Sequence, residues 1–304
     1  MKVLVTGGAG FIGSHTVDLL VDSGHEVLVI DNLRTGRKEH INAKAAFVKL
    51  DINNKKVDQV FNDFRPDILI HLAAQVKISL PMGNPFKEVM DSIKGTIRLL
   101  SYCDKYSVKK VIFASSAAVY GENHPLPLHE SIMASPVSHY GVSKFTCESY
   151  IRLFQPYKNI RFTILRYASV YGPRQTANEE GGVVSIFLNK IMENKPLVIN
   201  GDGQQTRDFV YVEDVAKANM AAMTKGNNEI INISTETSTT INQLFTMCKD
   251  MLKSNIVPGY EPARAETVPY CLLSNGKASK VLDWKPSCTL EEGLTKTIHS
   301  ILNP

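Results

Sequence analysis

The sequence predicts an α/β fold, a doubly wound parallel sheet with a smaller, discontinuous C-terminal lobe. Three observations support this prediction. An opening apolar run leads through a glycine-rich turn into a helical pattern, and short apolar runs alternate with helical patterns over residues 1–170. After Gly172-Pro173 the segments are interrupted by glycine, asparagine and proline. Alternation of strand and helix is typical of βαβ units, in which successive strands pair in parallel.

The first predicted strand, residues 2–6, runs directly into a turn with glycines at 7, 10 and 13. A helical pattern follows at 12–23. This order of strand, glycine turn and helix lets backbone amides approach a pyrophosphate at the helix N-terminus. Because the glycine motif follows a predicted strand and precedes a predicted helix, it predicts a dinucleotide site in a Rossmann-type domain.

An acidic residue follows the second predicted strand, residues 26–30. This residue, Asp31, lies about 20 residues beyond the glycines, where a carboxylate accepts hydrogen bonds from the adenosine ribose and repels a 2′-phosphate. Arg34 and Arg37 lie just beyond it and would favour NADP, but loop arginines are more often solvated. We therefore predict NAD as the cofactor, with NADP as the alternative.

The remaining elements follow in the same alternation. Further strands are predicted at 46–50, 67–72, 110–115 and 161–166, and helices at 55–64, 86–106 and 139–155. In the second half, loops at 173–182 and 200–208 accompany helices at 183–194, 213–225, 241–253 and 290–302. We predict an NAD-binding domain over 1–170 with a return segment near 209–228, and a substrate-binding lobe from 171–208 and 229–304.

Composition excludes several classes of function. The chain has 304 residues, of which 43% are hydrophobic and 21% charged. Its net charge is only +4, and its basic residues are scattered along the sequence. This predicts a globular protein without a nucleic-acid partner. Five cysteines without CxxC spacing predict free thiols in a reducing compartment and no metal site. No apolar run approaches the roughly 18 residues of a membrane span, and no leader pattern is seen, so we expect a cytoplasmic protein without membrane contact.

A tyrosine and a lysine four residues apart, Tyr140 and Lys144, share one face of a predicted helix. An ammonium group beside a phenol stabilises the phenolate and lowers the phenol pKa from about 10. Ser115 and Ser116 directly follow a strand, and hydroxyls at the carboxyl end of a parallel strand reach the ligand crevice. Serine, tyrosine and lysine together would handle the proton in alcohol–ketone interconversion beside a nicotinamide.

Over essentially its whole length the chain resembles the extended short-chain dehydrogenase/reductases of the sugar-nucleotide epimerase and dehydratase group. The resemblance includes the glycine turn, Asp31, and Tyr140 with Lys144. It also includes Asp51-Ile52, His71-Leu72-Ala73-Ala74-Gln75, Ser115-Ser116, Val119-Tyr120-Gly121, Leu165-Arg166-Tyr167, Tyr171-Gly172-Pro173-Arg174, Gly201-Asp202-Gly203, Arg207-Asp208-Phe209 and Asp214-Val215.

The resemblance implies roles for these residues. Ser116, Tyr140 and Lys144 would be catalytic, with Tyr140 as acid and base, and no metal would take part. Cofactor contacts are implied for Gly7, Gly10, Phe11, Ile12, Gly13, Asp31, Asn32, Asp51, Ile52, Leu72, Ala73, Ala74, Tyr140 and Lys144. Substrate contacts are implied for Ser116, Tyr140, Ser169, Val183, Arg207, Arg264 and Cys271, the two arginines clamping a diphosphate. Ser169 and Ser92 stand where the family usually has asparagine.

The residues after the catalytic serine separate the reactions of this group. Dehydratases carry Asp-Glu at this place, whereas Ala117-Ala118 here cannot transfer protons. The resemblance therefore implies 4-epimerisation of a UDP-sugar through a transient 4-keto intermediate, on UDP-glucose/UDP-galactose. Cys271, at a position that is bulky in enzymes restricted to unsubstituted hexoses, would also admit the N-acetylhexosamine pair.

Other functions stay open at this point. They are 4-epimerisation of UDP-glucuronate, an NAD(P)-dependent sugar-nucleotide reductase or dehydratase, and a non-catalytic dinucleotide sensor. The family also implies a homodimer formed through the helices near 86–106 and 139–155.

Overall fold

The centre of the molecule is a parallel sheet. The computed structural model describes residues 1–74, 85–158, 160–176, 182–263 and 268–303. In chain order its strands are β1 (Lys2–Thr6), β2 (Glu26–Asp31), β3 (Ala46–Lys49), β4 (Ile68–His71), β5 (Lys110–Ser116), β6 (Arg161–Tyr167), β7 (Ser169–Tyr171), β8 (Val198–Asn200), β9 (Thr206–Arg207), β10 (Phe209–Tyr211), β11 (Glu229–Ile233), β12 (Thr239–Thr240) and β13 (Gly259–Glu261). Its α-helices are α1 (Phe11–Asp22), α2 (Val57–Phe64), α3 (Pro85–Lys105), α4 (His139–Lys158), α5 (Val183–Met192), α6 (Val212–Ala221), α7 (Ile241–Met251), α8 (Gly276–Leu282) and α9 (Leu290–Leu302).

Seven of these strands form the central sheet in the order β11-β6-β5-β4-β1-β2-β3, with every pair parallel. The sequence order reverses between β1 and β4, and this is where a doubly wound sheet opens a crevice for ligands. Side chains alternate along each strand, so that Val3 and Val5 of β1 pack towards one face and Leu4 towards the other. The doubly wound α/β prediction is thereby confirmed.

Two hydrophobic layers cover the sheet. On one face, Val17 of α1 and Val215 of α6 belong to the same buried cluster as Val3. On the other face, helices α2, α3 and α4 contribute Phe61, Leu99 and Cys147. The helices thus bury both faces, which explains why the central strands are apolar on both sides.

A third hydrophobic cluster belongs to the second half of the chain. Phe187 of α5, Phe245 of α7 and Leu294 of α9 are buried together with Tyr171 of β7 and Phe209 of β10. This cluster is separate from the two clusters that flank the central sheet, so the second lobe has a core of its own.

The predicted strands and helices are confirmed, and their ends agree to within about one helical turn. The sequence analysis did not predict helix α8 or the seven short strands β7 to β13. Strand β11 pairs with β6 at one edge of the central sheet, and Leu282 of α8 packs in the cluster beside it. We propose that the return segment of the first domain extends beyond residue 228 to include β11 and α8.

In the part of the chain that the structure describes, no helix has the length and apolar character needed to cross a bilayer. Within the same ranges, no three His, Cys, Asp or Glu side chains are grouped so that they could hold a metal ion. All five cysteines are free thiols, as the sequence predicts.

Candidate active site

A cleft of about 1270 Å³ runs along the carboxyl ends of the central strands and continues under the second lobe. Every predicted site residue in the described ranges lines it: Gly7, Gly10, Phe11, Ile12, Gly13, Asp31, Asn32, Asp51, Ile52, Leu72, Ala73, Ala74, Ser116, Tyr140, Lys144, Ser169, Val183, Arg207 and Cys271. Arg264 lies outside the described residues. The structure thus brings residues from both halves of the chain to one site.

The glycine turn between β1 and α1 is closely packed. Gly7 has a φ of +74°, and a Cβ there would lie 2.7 Å from the backbone nitrogen of Ala73. A Cβ at Gly13 would lie only 2.0 Å from the carbonyl oxygen of Gly7. Helix α1 begins after Gly10 without a side-chain cap, and the residues of its first turn, 11–13, line the cleft. An anion such as a pyrophosphate is the partner that this helix terminus favours.

Asp31, at the end of β2, is buried and is held by two backbone amides. Its carboxylate accepts hydrogen bonds from the nitrogen of Ala9 at 3.1 Å and of Leu33 at 2.8 Å. Because each carboxylate oxygen can accept a further bond, the group can still receive ribose hydroxyls from the cleft. Nearby, the side-chain amide of Asn32 donates to Asp51 at 2.8 Å.

A buried histidine that sequence reasoning did not assign connects the end of β4 to its neighbours. The Thr96 hydroxyl donates to the Ser92 carbonyl at 2.9 Å, so its oxygen can accept Nε2–H of His71 at 3.0 Å. The Thr6 hydroxyl then donates to Nδ1 of His71 at 2.7 Å. Burial lowers the pKa of His71 to about 3, so the ring is neutral, as this arrangement requires. The network fixes the ends of β1 and β4 beside the glycine turn.

Tyr140 and Lys144 lie one turn apart at the start of α4, as predicted. The ammonium of Lys144 is 5.7 Å from the centre of the Tyr140 ring and donates to the carbonyl oxygen of Ala114 at 2.6 Å. The Ser116 hydroxyl accepts a hydrogen bond from the nitrogen of Ala118 at 3.2 Å. These contacts place hydroxyl, phenol and ammonium groups within the same part of the cleft.

The expected lowering of the Tyr140 pKa is not found in the protein alone. Burial raises the pKa of Tyr140 to about 12, opposed by a hydrogen bond with Ser116. Burial also lowers the pKa of Lys144 to about 8, opposed by Cys147 and Glu148. Desolvation disfavours both charged forms, so a further positive charge in the cleft would be needed to bring the phenol towards ionisation at neutral pH.

Successive side chains of β5 point to opposite faces of the sheet, so its last two residues, Ser115 and Ser116, have different partners. The hydroxyl of Ser115 donates to the carboxylate of Glu148 at 2.5 Å. Arg166 of β6 pairs with the same carboxylate through two nitrogens, at 3.0 Å and 2.7 Å. This buried group joins α4 to β5 and β6 one turn beyond Lys144, and so helps to fix the helix that carries Tyr140.

The second lobe supplies the predicted substrate residues. Ser169 begins β7, Val183 begins α5, and Arg207 ends β9. The guanidinium of Arg207 donates to the carbonyl oxygen of Thr206 at 2.7 Å, and burial lowers its pKa. Cys271 lines the cleft as well, and burial raises the pKa of its thiol to about 11. The protonated thiol of Cys271 and the partly desolvated guanidinium of Arg207 are therefore neighbours at this end of the cleft.

Sequence reasoning missed several residues that line the cleft or support it. Gln175 and Gln205 line it in the second lobe, while Glu148 and His71 support its walls from inside. Glu148 lies four residues after Lys144 on the same helix, and this spacing could have marked it.

Known proteins resemble the chain over both of its lobes. The model of the NAD dependent epimerase/dehydratase family matches residues 3–234. Over 302 residues the chain is 43% identical to a putative UDP-glucose 4-epimerase of Methanocaldococcus jannaschii, with 99% of this chain and 98% of that protein covered. Its structure is similar to that of UDP-glucose 4-epimerase with UDP-glucose from Thermotoga maritima, at a TM-score of 0.97 and 41% identity, with 99% of each chain covered. It is also similar to UDP-N-acetylglucosamine 4-epimerase of Methanobrevibacter ruminantium in complex with UDP-N-acetylmuramic acid, at a TM-score of 0.93 and 36% identity, with 99% of this chain and 98% of that chain covered.

Proposed function

Since the chain belongs to the NAD-dependent epimerase/dehydratase family, we propose that it catalyses the NAD-dependent 4-epimerisation of a UDP-sugar. The proposed substrates are UDP-glucose and UDP-galactose, together with the N-acetylhexosamine pair. The observation that carries this proposal is the meeting of the glycine turn with Ser116, Tyr140 and Lys144 in one cleft.

The residues present fit NAD. The turn is so closely packed at Gly13 that a Cβ would overlap the Gly7 carbonyl, and the start of α1, which has no side-chain cap, lines the cleft beside it. We propose that the first backbone amides of α1 hold the pyrophosphate and that Asp31 receives the adenosine ribose hydroxyls. When bound, NAD supplies a hydride acceptor that returns the hydride within the same turnover.

The proton is moved by the protein's own residues. We propose that Tyr140 takes the proton of the sugar's C4 hydroxyl as the carbon loses hydride, leaving a 4-keto sugar. Lys144 stabilises the phenolate through its charge, and Ser116 orients the reacting hydroxyl by a hydrogen bond. After the keto sugar has turned in the cleft, Tyr140 returns the proton to the opposite epimer.

The end of the cleft in the second lobe would hold the nucleotide while the sugar turns. We propose that Arg207 binds the diphosphate, since a guanidinium forms bidentate, charge-assisted hydrogen bonds with phosphate oxygens. Arg264 is proposed as its partner, from the family resemblance. Cys271 lines the cleft near Arg207, and its small side chain supports a sugar pocket that admits an N-acetyl group.

The two alanines that follow Ser116 favour epimerisation over the elimination of water. Ala117 and Ala118 line the cleft there, and neither methyl side chain can donate or accept a proton. Removal of water from C5 and C6 of the sugar needs an acid and a base at that place. The redox-neutral cycle needs only the groups already described.

The test is an assay of the purified protein without added cofactor. UDP-glucose, UDP-N-acetylglucosamine and UDP-glucuronate are incubated separately, and the C4 epimers are resolved by chromatography. We expect an equilibrium mixture from UDP-glucose and from UDP-N-acetylglucosamine, because bound NAD is regenerated in each turnover. A Tyr140→Phe protein purified in the same way is the control for a contaminating epimerase.

The other outcomes separate the alternatives. Epimerisation of UDP-glucuronate alone would establish that substrate class instead. Consumption of added NADH or NADPH without a C4 epimer would identify a reductase. Binding of UDP without any turnover, in the presence and absence of NAD, would refute the proposed enzyme and favour a dinucleotide sensor.

We propose a homodimer formed through α3 and α4. Val142, Tyr150, Leu153 and Tyr157 are exposed apolar residues along one helix, with exposed fractions of 43%, 37%, 53% and 76%. An exposed apolar stripe of this kind marks an association surface.

We expect sedimentation to give twice the mass of one chain at micromolar concentration. Leu153→Glu should give monomers, whereas Leu302→Glu on α9 should leave the dimer intact; a monomeric wild-type protein would contradict the proposal.

We also propose the cytoplasm as the location of the protein. Five free thiols support a reducing compartment. Cell fractionation is the direct test, and recovery from an extracellular or periplasmic fraction would contradict it.

A further inference from the structure

A fully buried carboxylate, Asp208, lies directly behind the substrate end of the cleft. Its Oδ1 accepts hydrogen bonds from the backbone nitrogen of Thr235 at 2.9 Å and from the Thr235 hydroxyl at 2.8 Å. Its Oδ2 accepts from the nitrogens of Glu236 at 3.1 Å and Leu273 at 3.4 Å. One side chain thus joins β9 and β10 to the segment after β11 and to the segment that precedes α8.

The segments joined by Asp208 carry the proposed substrate contacts. Arg207 is its neighbour in the chain, and Cys271 lies two residues before Leu273. The backbone carbonyl of Asp208 also accepts a hydrogen bond from the nitrogen of Ser169 at 2.8 Å. The nitrogen of Cys271 also donates to the carbonyl oxygen of Thr206 at 3.3 Å, so the same two segments are joined a second time. Asp208 itself does not line the cleft.

We infer that Asp208 is the positioning residue of the substrate site, which sets the spacing between Arg207, Ser169 and Cys271 without touching the substrate. The inference rests on the proposed function. It explains why this carboxylate is buried without a cationic partner among the residues that the structure describes. Four donors from two separate segments converge on it, and an acceptor-only group satisfies them all.

The substitution Asp208→Asn removes this property with little change in volume. When the amide N–H groups face Glu236 and Leu273, two backbone donors lose their acceptor. When they face Thr235, its backbone N–H loses its acceptor, although the hydroxyl can turn to accept instead. Arg207 and Cys271 should then no longer be held at a fixed spacing. The cofactor side of the cleft, built on β1, β2 and β4, should be unaffected.

The experiment measures UDP affinity by calorimetry, KM and kcat for the UDP-sugar that the wild-type protein turns over, NAD content and melting temperature. For Asp208→Asn we expect KM and the dissociation constant of UDP to rise about tenfold or more, with kcat within about threefold and NAD retained. The matched control is Asp214→Asn. Asp214 is equally buried, accepts from Ser287, Cys288 and the ammonium of Lys217 instead, and does not line the cleft. It should lose stability but keep UDP affinity.

A milder variant decides the matter if Asp208→Asn does not fold. Thr235→Val keeps the backbone donor and removes only the hydroxyl donor, and we expect UDP affinity to fall about threefold. Unchanged UDP affinity in both variants at residues 208 and 235, or an equal loss in Asp214→Asn, would overturn the inference. Failure of the wild-type protein to epimerise any UDP-sugar would refute the proposed function instead, and the UDP affinities would still test the positioning.

Discussion

Tyr140→Phe should lower kcat by about 10²- to 10⁴-fold, the usual range for the loss of an acid–base group. Phenylalanine fills the same space but can neither accept nor return the proton of the C4 hydroxyl. KM should change little, because the proposed diphosphate contact through Arg207 is in the other lobe. The measurements are turnover by chromatography and NAD content after denaturation, and NAD should remain stoichiometric.

Tyr120→Phe is the matched control for this variant. Tyr120 is fully buried, does not line the cleft, and donates its hydroxyl to the side chain of Asn232 at 2.7 Å. Removal of its hydroxyl leaves the buried side-chain oxygen of Asn232 without a donor, so it should cost about 1–3 kcal/mol of unfolding free energy and leave kcat nearly unchanged. Undiminished turnover in Tyr140→Phe, or the same drop in both variants, would refute the role of Tyr140.

Gly13→Ala should give a protein that no longer retains NAD. The new Cβ would lie 2.0 Å from the carbonyl oxygen of Gly7, so the turn must open and the amides of α1 move away from the pyrophosphate position. Overpacking of this kind costs about 1–3 kcal/mol of stability. We expect purified protein without bound cofactor and with activity reduced about 100-fold or more, partly restored by added NAD.

The control for this variant is Gly276→Ala at the start of α8. A Cβ there would meet only one atom within range, at 4.0 Å, and the position is outside the cleft. NAD content and turnover should equal those of the wild-type protein. Stoichiometric NAD in Gly13→Ala would show that the turn does not hold the cofactor as proposed.

The parts of the site that sequence reasoning found are those encoded by local spacing. The glycines of the first turn, Asp31 after β2, and Tyr140 with Lys144 are each recognisable from their neighbours in the chain. The alternation of strand and helix also predicted the doubly wound sheet, because each βαβ unit is a local pattern.

What sequence reasoning missed depends on partners that are distant in the chain. The order of the strands and helices in the fold brings His71 to Thr6 and Thr96. Asp208 likewise accepts hydrogen bonds from residues 235, 236 and 273, which are distant from it in the sequence. The pKa of Tyr140 was expected to fall, but its direction is decided by burial, which is a property of the assembled fold. Strand β11 was missed because a run of five residues without flanking periodicity carries too weak a signal.

The position of β11 also bears on how the protein is made. Because it completes one edge of the central sheet beside β6, the hydrogen-bonding groups of β6 on that side have no partner until residues 229–233 have been synthesised. The whole of segment 168–228 leaves the ribosome first, and it contains three of the residues proposed to contact the substrate, Ser169, Val183 and Arg207. The nascent N-terminal half therefore presents an open sheet edge during translation, a stage at which strand edges are prone to pairing with other chains.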